Sequence, residues 1–290
     1  MSTRLALPLA FAVAAILAGC ATPSAAPPAV VHYAGDTQDA WDAWHRELDR
    51  LLPADAILLG EQHDAPEHHA LEKATVAHLA ARQRLAAVVL EMADAGTRTT
   101  DMPANASDED VRQALRWNDK GWPWTSYGPT VMAAVRAQIP VLGGNLPRAN
   151  MAQAMKNTEL DGKLNAEALQ MQIDAIQKGH CGLLPETQLL PMARIQLARD
   201  DSMARTVAAA AAAAATAQPG RTVLLIAGNG HVRDRLGVAR WLPDGLVARK
   251  VMAQAGEIDP AIKPEADAFV VTPQLPAKDH CAELRKQWKR

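Results

Sequence analysis

The chain has 290 residues, of which 49% are hydrophobic and 21% are charged, enough to bury one large core or one core with a small appendage. Its formal net charge of -2 and its isoelectric point near 6.5 argue against a surface that follows phosphates, so nucleic acid is not an expected partner. Tyr33 and Tyr127 are the two tyrosines, so any function that needs a phenol must use one of them.

The first twenty residues predict an export signal rather than a part of the fold. Arg4 precedes an apolar stretch, residues 5–17, that is too short to span a bilayer as a stable helix. The stretch ends in Leu17-Ala18-Gly19-Cys20, which is similar to the bacterial lipobox, where the cysteine is acylated and becomes the new N-terminus. An ordinary secretory signal with a chance cysteine is the alternative. Acylation of Cys20 would make residues 1–19 a signal peptide and hold the protein on a membrane.

The remaining cysteines predict a disulfide. With Cys20 acylated, Cys181 and Cys281 are left in an exported chain, where disulfides persist. We therefore expect these two residues to pair. A free thiol ligand at Cys181, beside His180, is the competing interpretation.

The first folded elements are expected after a tether. Residues 20–34, rich in alanine, proline and serine, are typical of a flexible linker. Residues 36–52 place apolar side chains at helical spacing and predict an amphipathic helix. The first strand is expected at residues 56–60. A helix that begins with Asp64 as its cap, and with Glu67 completing a capping box, is expected to run to about residue 84.

Polar residues end the strands that follow. Residues 85–91 form an apolar run that ends in Glu91, and residues 139–145 form one that ends in Asn145. Residues 222–227 lead into Gly228-Asn229-Gly230-His231. Two more strands are expected, at residues 246–252 and 268–271. Since strands and helices alternate, the pattern predicts a mostly parallel sheet flanked by helices, an α/β fold with right-handed crossovers.

The alternation stops between residues 148 and 218, where every segment reads as helix. This stretch is too long for one crossover, so we expect a small helical subdomain inserted in the α/β domain and standing over the strand ends. The α/β domain is then divided into residues 35–147 and residues 219–290, the second part including the C-terminal tail.

The polar residues at the strand ends form one candidate site. Because the carboxyl ends of parallel strands meet at one edge of a sheet, we expect them to share a crevice. The residues are Glu61, His63, Glu91, Asn145 and His231. Two carboxylates and two imidazoles can bind a divalent metal, exchange protons with water, or form a buried hydrogen-bonded network.

These motifs together resemble the ChaN-like haem-binding lipoproteins. That family belongs to a superfamily with the Tiki proteases, the TraB proteins and the erythromycin esterases. The resemblance covers nearly the whole mature chain and rests on residues 59–64 with His68 and His69, Glu91, residues 122–127, residues 180–185, residues 196–204 and residues 227–232. It implies a parallel-sheet α/β domain with a small helical domain, and an outer-membrane lipoprotein of haem or iron acquisition. It also implies ferric haem bound through a tyrosine, often between two subunits.

The resemblance also implies roles for single residues. The tyrosine of the matching segment is Tyr127, and a phenolate is a hard anion suited to ferric haem iron. Trp122 and Trp124 are expected either against the porphyrin or in the hydrophobic seam under the helical subdomain. His180 or His231 would supply a second contact to the iron or a hydrogen bond to the phenolate. The alternative for Tyr127 is a core aromatic packed beside the tryptophans.

Two functions are therefore considered. In the first, the protein binds haem at the outer membrane, possesses no enzymatic activity, forms a homodimer and passes haem to or from an outer-membrane haem receptor. In the second, it is a hydrolase of peptides or esters, alone or with a divalent metal. Its reacting groups would then be Glu61, His63, Glu91 and His231.

Overall fold

A computed structural model describes residues 27–33 and 37–288. The expected signal peptide and the acylation site at Cys20 lie outside the described residues. Within the described ranges, no helix combines the length and the apolar character needed to cross a membrane.

A single parallel sheet forms the centre of the described chain. Its seven strands are ordered β1-β7-β6-β2-β5-β3-β4, and every neighbouring pair is parallel. The strands are β1 (Ala29–His32), β2 (Ala56–Glu61), β3 (Leu85–Asp94), β4 (Val141–Asn145), β5 (Thr222–Gly228), β6 (Ala248–Ala255) and β7 (Ala268–Thr272). This confirms the predicted α/β class with a parallel sheet.

Helices cover both faces of the sheet. They are α1 (Gln38–Leu51), α2 (Pro66–Ala81), α3 (Asp108–Ala114), α4 (Trp124–Arg136), α5 (Met151–Lys156), α6 (Ala166–Gly179), α7 (Glu186–Ala217), α8 (Asn229–Val232) and α9 (His280–Trp288). Short 3-10 turns lie at Arg148–Asn150, Thr158–Gly162, Val238–Trp241 and Pro260–Glu265.

The central strands are buried on both sides because their sequences are continuous apolar runs. Every residue of β2 and of β5 is buried, as is usual for strands covered by helices on both faces. On one face, α1, α2 and α4 pack against alternate side chains such as Ile57 and Leu59. On the other face, the second half of α7 packs against Leu58 and its neighbours.

The long helix α7 joins the helical segment to the sheet. Its alanine run puts Ala211 and Ala214 into the core beside Val223 and Leu225 of β5. Small side chains let the helix lie close to the sheet. The helical segment between β4 and β5 therefore ends in α7, the helix that returns the chain to the sheet.

Some local boundaries differ from the expectations. Residues 29–32, expected in the tether, form the edge strand β1 beside β7. Ala65, not Asp64, is the N-cap of α2, and it makes no side-chain cap because alanine has no hydrogen-bond acceptor in its side chain. Helix α9 lies in the C-terminal tail, for which no element was expected.

A disulfide ties α9 to the loop after α6. Cys181 and Cys281 are bonded, with their Cα atoms 5.6 Å apart and a separation of 100 positions in sequence. This is the pairing expected from the sequence, and Cys181 is consequently no free thiol ligand in the structure. Cys181 and Gly182 both have positive φ values, 55° and 66°, so the chain turns sharply directly after His180.

Candidate functional site

The carboxyl ends of the central strands carry the expected polar residues. Glu61 is the last residue of β2 and lies opposite Gly228, the last residue of β5. Glu91 lies on β3, and Asn145 ends β4 and donates from its amide to the Glu91 carbonyl at 2.8 Å. His231 follows β5 in the short helix α8. The structure thus brings all of these strand ends to one edge of the sheet.

Glu61 is the centre of the first group of contacts. Its Oε1 accepts hydrogen bonds from His63 Nδ1 at 2.8 Å and from the Tyr127 hydroxyl at 2.9 Å. Its Oε2 lies 3.2 Å from His69 Nε2. Burial alone would raise the pKa of Glu61, but the hydrogen bonds from His63 and His69 hold that pKa well below its usual range. Glu61 is therefore a buried carboxylate at neutral pH.

A second buried acid, Glu72, faces this group from α2. Both of its carboxyl oxygens are buried, and neither has a hydrogen-bond partner among the described residues. Burial and the negative charge of Glu61 raise the pKa of Glu72 well above its usual range. Glu72 is thus neutral where Glu61 is ionised, as expected for two acids in one dry site.

His231 is the centre of the second group. Its Nδ1 donates to Asp200 at 2.6 Å, and its Nε2 lies 3.4 Å from Glu91 Oε1. Burial would lower the pKa of His231, but the carboxylates of Glu91 and Asp200 raise it to about 10. The same charge holds the pKa of Glu91 at about 2 against its burial, whereas burial raises that of Asp200 to about 6. At neutral pH His231 is a cation between two carboxylates.

Gly228 lets the two groups approach each other. Its backbone N–H donates to Glu91 Oε2 at 2.8 Å. A Cβ at this position would lie 2.7 Å from His63 Nε2, closer than two such atoms can approach. The His63 ring therefore occupies the space that a side chain would fill, with its Nε2 3.8 Å from Glu91.

Tyr127 is buried beside the group of residues centred on Glu61. Its side chain is 2% exposed, and its hydroxyl donates to Glu61. Burial and the charge of Glu61 raise the pKa of Tyr127 well above its usual range. Trp122 packs edge-on against His63 with ring centroids 4.8 Å apart, while the indole N–H of Trp124 donates to Asp108 on α3.

A cavity of about 380 Å³ opens beside the two groups. The helical segment supplies one wall and the strand ends supply the other. The lining residues are Glu61, His63, Gln172, Ala175, Ile176, Gly179, His180, Gln196, Asp200, Gly228, Asn229, Gly230, His231, Arg233 and Leu236. His63, His180 and His231 thus reach the cavity, whereas Tyr127, Trp122 and Trp124 are not among its lining residues.

The described residues contain no preformed site for a divalent metal, which was one of the alternatives for the strand-end residues. Among residues 27–33 and 37–288, no group of three or more histidine, cysteine, aspartate or glutamate side chains is arranged to hold a metal ion. In the described arrangement the carboxylates and imidazoles are bonded to one another.

Three residues of the site were missed by the sequence reasoning. His69 and Glu72 come from α2, and Asp200 comes from α7, all on helix faces that pack against the strand ends. Of the neighbouring pair His68 and His69, His69 joins the site, while His68 accepts from the Gln62 N–H and contacts Thr272.

An all-parallel sheet with buried acids and imidazoles at its strand ends, beside a helical segment, defines an α/β protein with a polar cleft at one edge of the sheet. Residues 48–242 match the family described as haem-binding uptake, Tiki superfamily, ChaN, and the chain belongs to this family.

The chain is also similar to solved structures, of which the first below supports the fold. A ChaN of Campylobacter jejuni, described with cofacial haem binding, is 24% identical with a TM-score of 0.62, over 77% of this chain and 89% of that one. A mutant of the erythromycin esterase EreC in its open conformation is 12% identical with a TM-score of 0.44, over 74% and 73%. The type III effector HopBA1 is 13% identical with a TM-score of 0.38, over 77% and 88%. No curated protein matches the chain.

Proposed function

We propose that this protein binds ferric haem in the cavity at the strand ends and acts in haem or iron acquisition. Membership of the haem-binding uptake family supports the ligand. The observation that carries the proposal is a cavity at the functional edge of the sheet whose walls hold three imidazoles, His63, His180 and His231. Imidazole is among the ordinary protein ligands of haem iron.

The cavity fits a partly covered haem. Its volume of about 380 Å³ lies near the lower end of small-molecule sites, which span roughly 300–1,000 Å³. Ala175, Ile176 and Leu236 offer apolar surface to a porphyrin, and Arg233 at the wall carries a positive charge, although Glu265 is bonded to it. A bound haem would supply the iron and its open axial position. The protein would supply the ligand and the cover.

Ligation through Tyr127, which the resemblance implies, stays a prediction, and it has a structural cost. The phenol would have to leave Glu61 and lose its proton beside carboxylates that raise its pKa. Its 2% exposure means that Trp122 or a neighbouring side chain would also have to move. Ferric iron stabilises a phenolate, which is the compensation that such a rearrangement requires.

A homodimer is the second part of the proposal. A haem that is only partly covered by one chain leaves a flat apolar face, and a second copy would bury it. If the haem is shared, sedimentation should show a shift from monomer to dimer on addition of haemin. A monomer at saturating haemin would count against a shared site.

The decisive test of the proposal is a haemin titration. The chain without residues 1–19 is used with Cys20→Ser, so that both remaining cysteines are those of the disulfide. We expect a saturable Soret band, because the cavity offers an iron ligand and an apolar wall. The end point should be one haemin per chain if each chain holds its own haem, and one haemin per two chains if a single haem is shared. The control for non-specific haemin adsorption is a second titration in the presence of a chaotropic salt. The salt is used at a concentration that leaves the fold intact.

The absence of a saturable band would favour the second function, a hydrolase. The observation in its favour is that Glu61, His63, Glu91 and His231 do lie together beside the cavity. His231 is held protonated, so it is able to donate a proton but not to accept one at neutral pH. Hydrolysis of an ester or peptide that is lost in a folded His63→Ala variant would then replace haem binding as the conclusion.

We also propose that the protein is a lipoprotein of the outer membrane, acylated at Cys20, that exchanges haem with an outer-membrane receptor. The lipobox-like sequence before Cys20 supports the acylation. Labelling with a radioactive fatty acid should mark the wild-type chain in envelope fractions and should fail in Cys20→Ser. Labelling that persists in Cys20→Ser, or a wild-type chain found unlabelled, would contradict it.

A further inference from the structure

A further cavity, of about 600 Å³, lies at the amino ends of β1, β6 and β7, beside the end of α1. Because all the strands are parallel, these amino ends form the edge of the sheet opposite the one that carries Glu61 and His231. We call this cavity the basic groove. Its charged lining residues are Arg50, Asp234, Arg249, Lys250, Lys263 and Asp267.

Positive charge exceeds negative charge in the basic groove. Four basic and two acidic side chains line it, a net charge of +2, whereas the whole chain has a net charge of -2. Lys250 is neutralised locally, because its Nζ lies 2.8 Å from Asp234 and 3.6 Å from Asp267. Arg50 is bonded to Glu47 at 2.6 Å. The excess charge therefore belongs to the other two cations.

Arg249 and Lys263 form no ion pair with any residue that the structure describes. Arg249 is half-buried, and its Nε is a buried donor without a hydrogen-bond partner among those residues. Lys263 is exposed at the wall of the groove. A buried donor that lacks an acceptor costs free energy, and a guanidinium matches the oxygens of a phosphate group. A phosphate in the groove would supply the acceptor that Arg249 lacks and a countercharge for both cations.

The basic groove also lies where the chain leaves the folded domain towards Cys20. Pro27 and Pro28 form part of its wall. Cys20 and Pro27 are seven positions apart, so the chain between them spans at most about 25 Å. Val247, which directly precedes β6 at the same edge, is 45% exposed and adds apolar surface there. An acyl chain on Cys20 would therefore keep the groove within reach of the phosphates of lipid headgroups.

We propose that the basic groove binds the phosphate of an anionic phospholipid, with Arg249 and Lys263 as its contacts. A lipid is assigned rather than a free phosphate because the tether ends at the groove and Val247 is exposed beside it. The proposal takes its setting from the proposed acylation of Cys20. Recognition of the headgroup itself needs no acyl chain, so the two can be tested separately.

The test is cosedimentation of the mature chain, carrying Cys20→Ser, with vesicles at low ionic strength. One set of vesicles contains phosphatidylcholine alone, and the other contains phosphatidylcholine and phosphatidylglycerol in equal parts. We expect binding to the mixed vesicles only. Added sodium chloride should weaken that binding, since salt screens the attraction between exposed charges.

Two double variants locate the binding surface. Arg249→Gln with Lys263→Gln removes the unpaired cations of the groove, and Lys156→Gln with Lys178→Gln removes two exposed lysines of the helical segment as the control of equal charge change. One basic residue at an anionic membrane surface strengthens binding about fivefold, so the groove variant should bind at least about tenfold more weakly. The control should stay within about twofold of the parent chain, because its lysines lie away from the bound surface. The single variant Lys263→Gln, at an exposed position, keeps the test valid if the groove variant does not fold as judged by circular dichroism.

The proposal would be overturned by equal binding to both kinds of vesicle, or by a groove variant that binds like the control. Isothermal titration with inorganic phosphate covers the other source of the same chemistry. If the parent chain bound phosphate but not the mixed vesicles, the groove would be a site for free phosphate and the lipid assignment would fall. A negative vesicle result would leave haem binding and acylation standing, since haemin titration and fatty-acid labelling test those independently. Vesicle binding without fatty-acid labelling would support headgroup recognition and refute only the anchor.

Discussion

Replacement of His231 by alanine is expected to lower the free energy of unfolding by about 3–5 kcal/mol, the usual cost of removing one partner from a buried ion pair. His231 is the cation between Asp200 and Glu91, and all three side chains are buried. Without it, two carboxyl groups share a dry site with no countercharge. Equilibrium denaturation in urea measures the loss. The double variant His231→Ala, Asp200→Asn removes one of the stranded acids and should recover part of the stability.

The pH dependence of the unfolding free energy provides an independent test of the ion pairs of His231. The folded pKa of His231 is raised from 6.5 to about 10, so its contribution is complete below pH 6.5 and is lost as the pH rises towards 10. In that window the folded state holds one proton more than the unfolded state, and stability should fall by about 1.4 kcal/mol per pH unit. His231→Ala should lose this slope. A variant with unchanged stability and an unchanged slope would contradict the ion pair.

Removal of the disulfide in the double variant Cys181→Ser, Cys281→Ser is expected to cost about 4–5 kcal/mol. The bond joins two residues that are 100 positions apart in sequence, and the chain-entropy model gives about 4.7 kcal/mol for a loop of about this length. Helix α7 and the strands β5, β6 and β7 lie within the loop. The free energy of unfolding in guanidinium chloride, compared for the oxidised wild type and the variant, measures the effect.

Reduction of the wild type provides the control. Dithiothreitol should bring the wild type to the stability of the double variant and should leave the variant unchanged. If the variant were as stable as the oxidised wild type, the disulfide would not stabilise the protein by restricting the unfolded chain.

The sheet was predictable because its central strands have unambiguous sequences. The residues of β2, β3 and β5 form continuous apolar runs that end in glycine or an acid, a pattern that fits a strand covered on both faces. Glu61, Glu91 and His231 were found for the same reason, since parallel strand ends meet at one edge. The edge strand β1 was missed because four residues beside prolines and alanines carry no period that separates a strand from a linker.

The rest of the site depends on packing that a single sequence does not display. His69, Glu72 and Asp200 come from helices, and which helical face turns towards the strand ends is set by tertiary contacts. The position of Tyr127 beneath His63 and Trp122 follows from the packing of α4 on α2. Its motif did not show that its hydroxyl is hydrogen-bonded to Glu61.

If the protein is attached to a membrane through Cys20, as proposed, the direction of β1 determines which way the cleft faces. β1 runs parallel to β7, with Ala29 opposite Ala268 and His32 opposite Val271, so the chain enters the sheet at the edge remote from Glu61 and His231. Residues 21–27 reach at most about 25 Å when extended. A lipid on Cys20 would therefore hold the domain close to the bilayer by its opposite end, and the cleft would point away from the lipid, towards whatever delivers or collects its ligand.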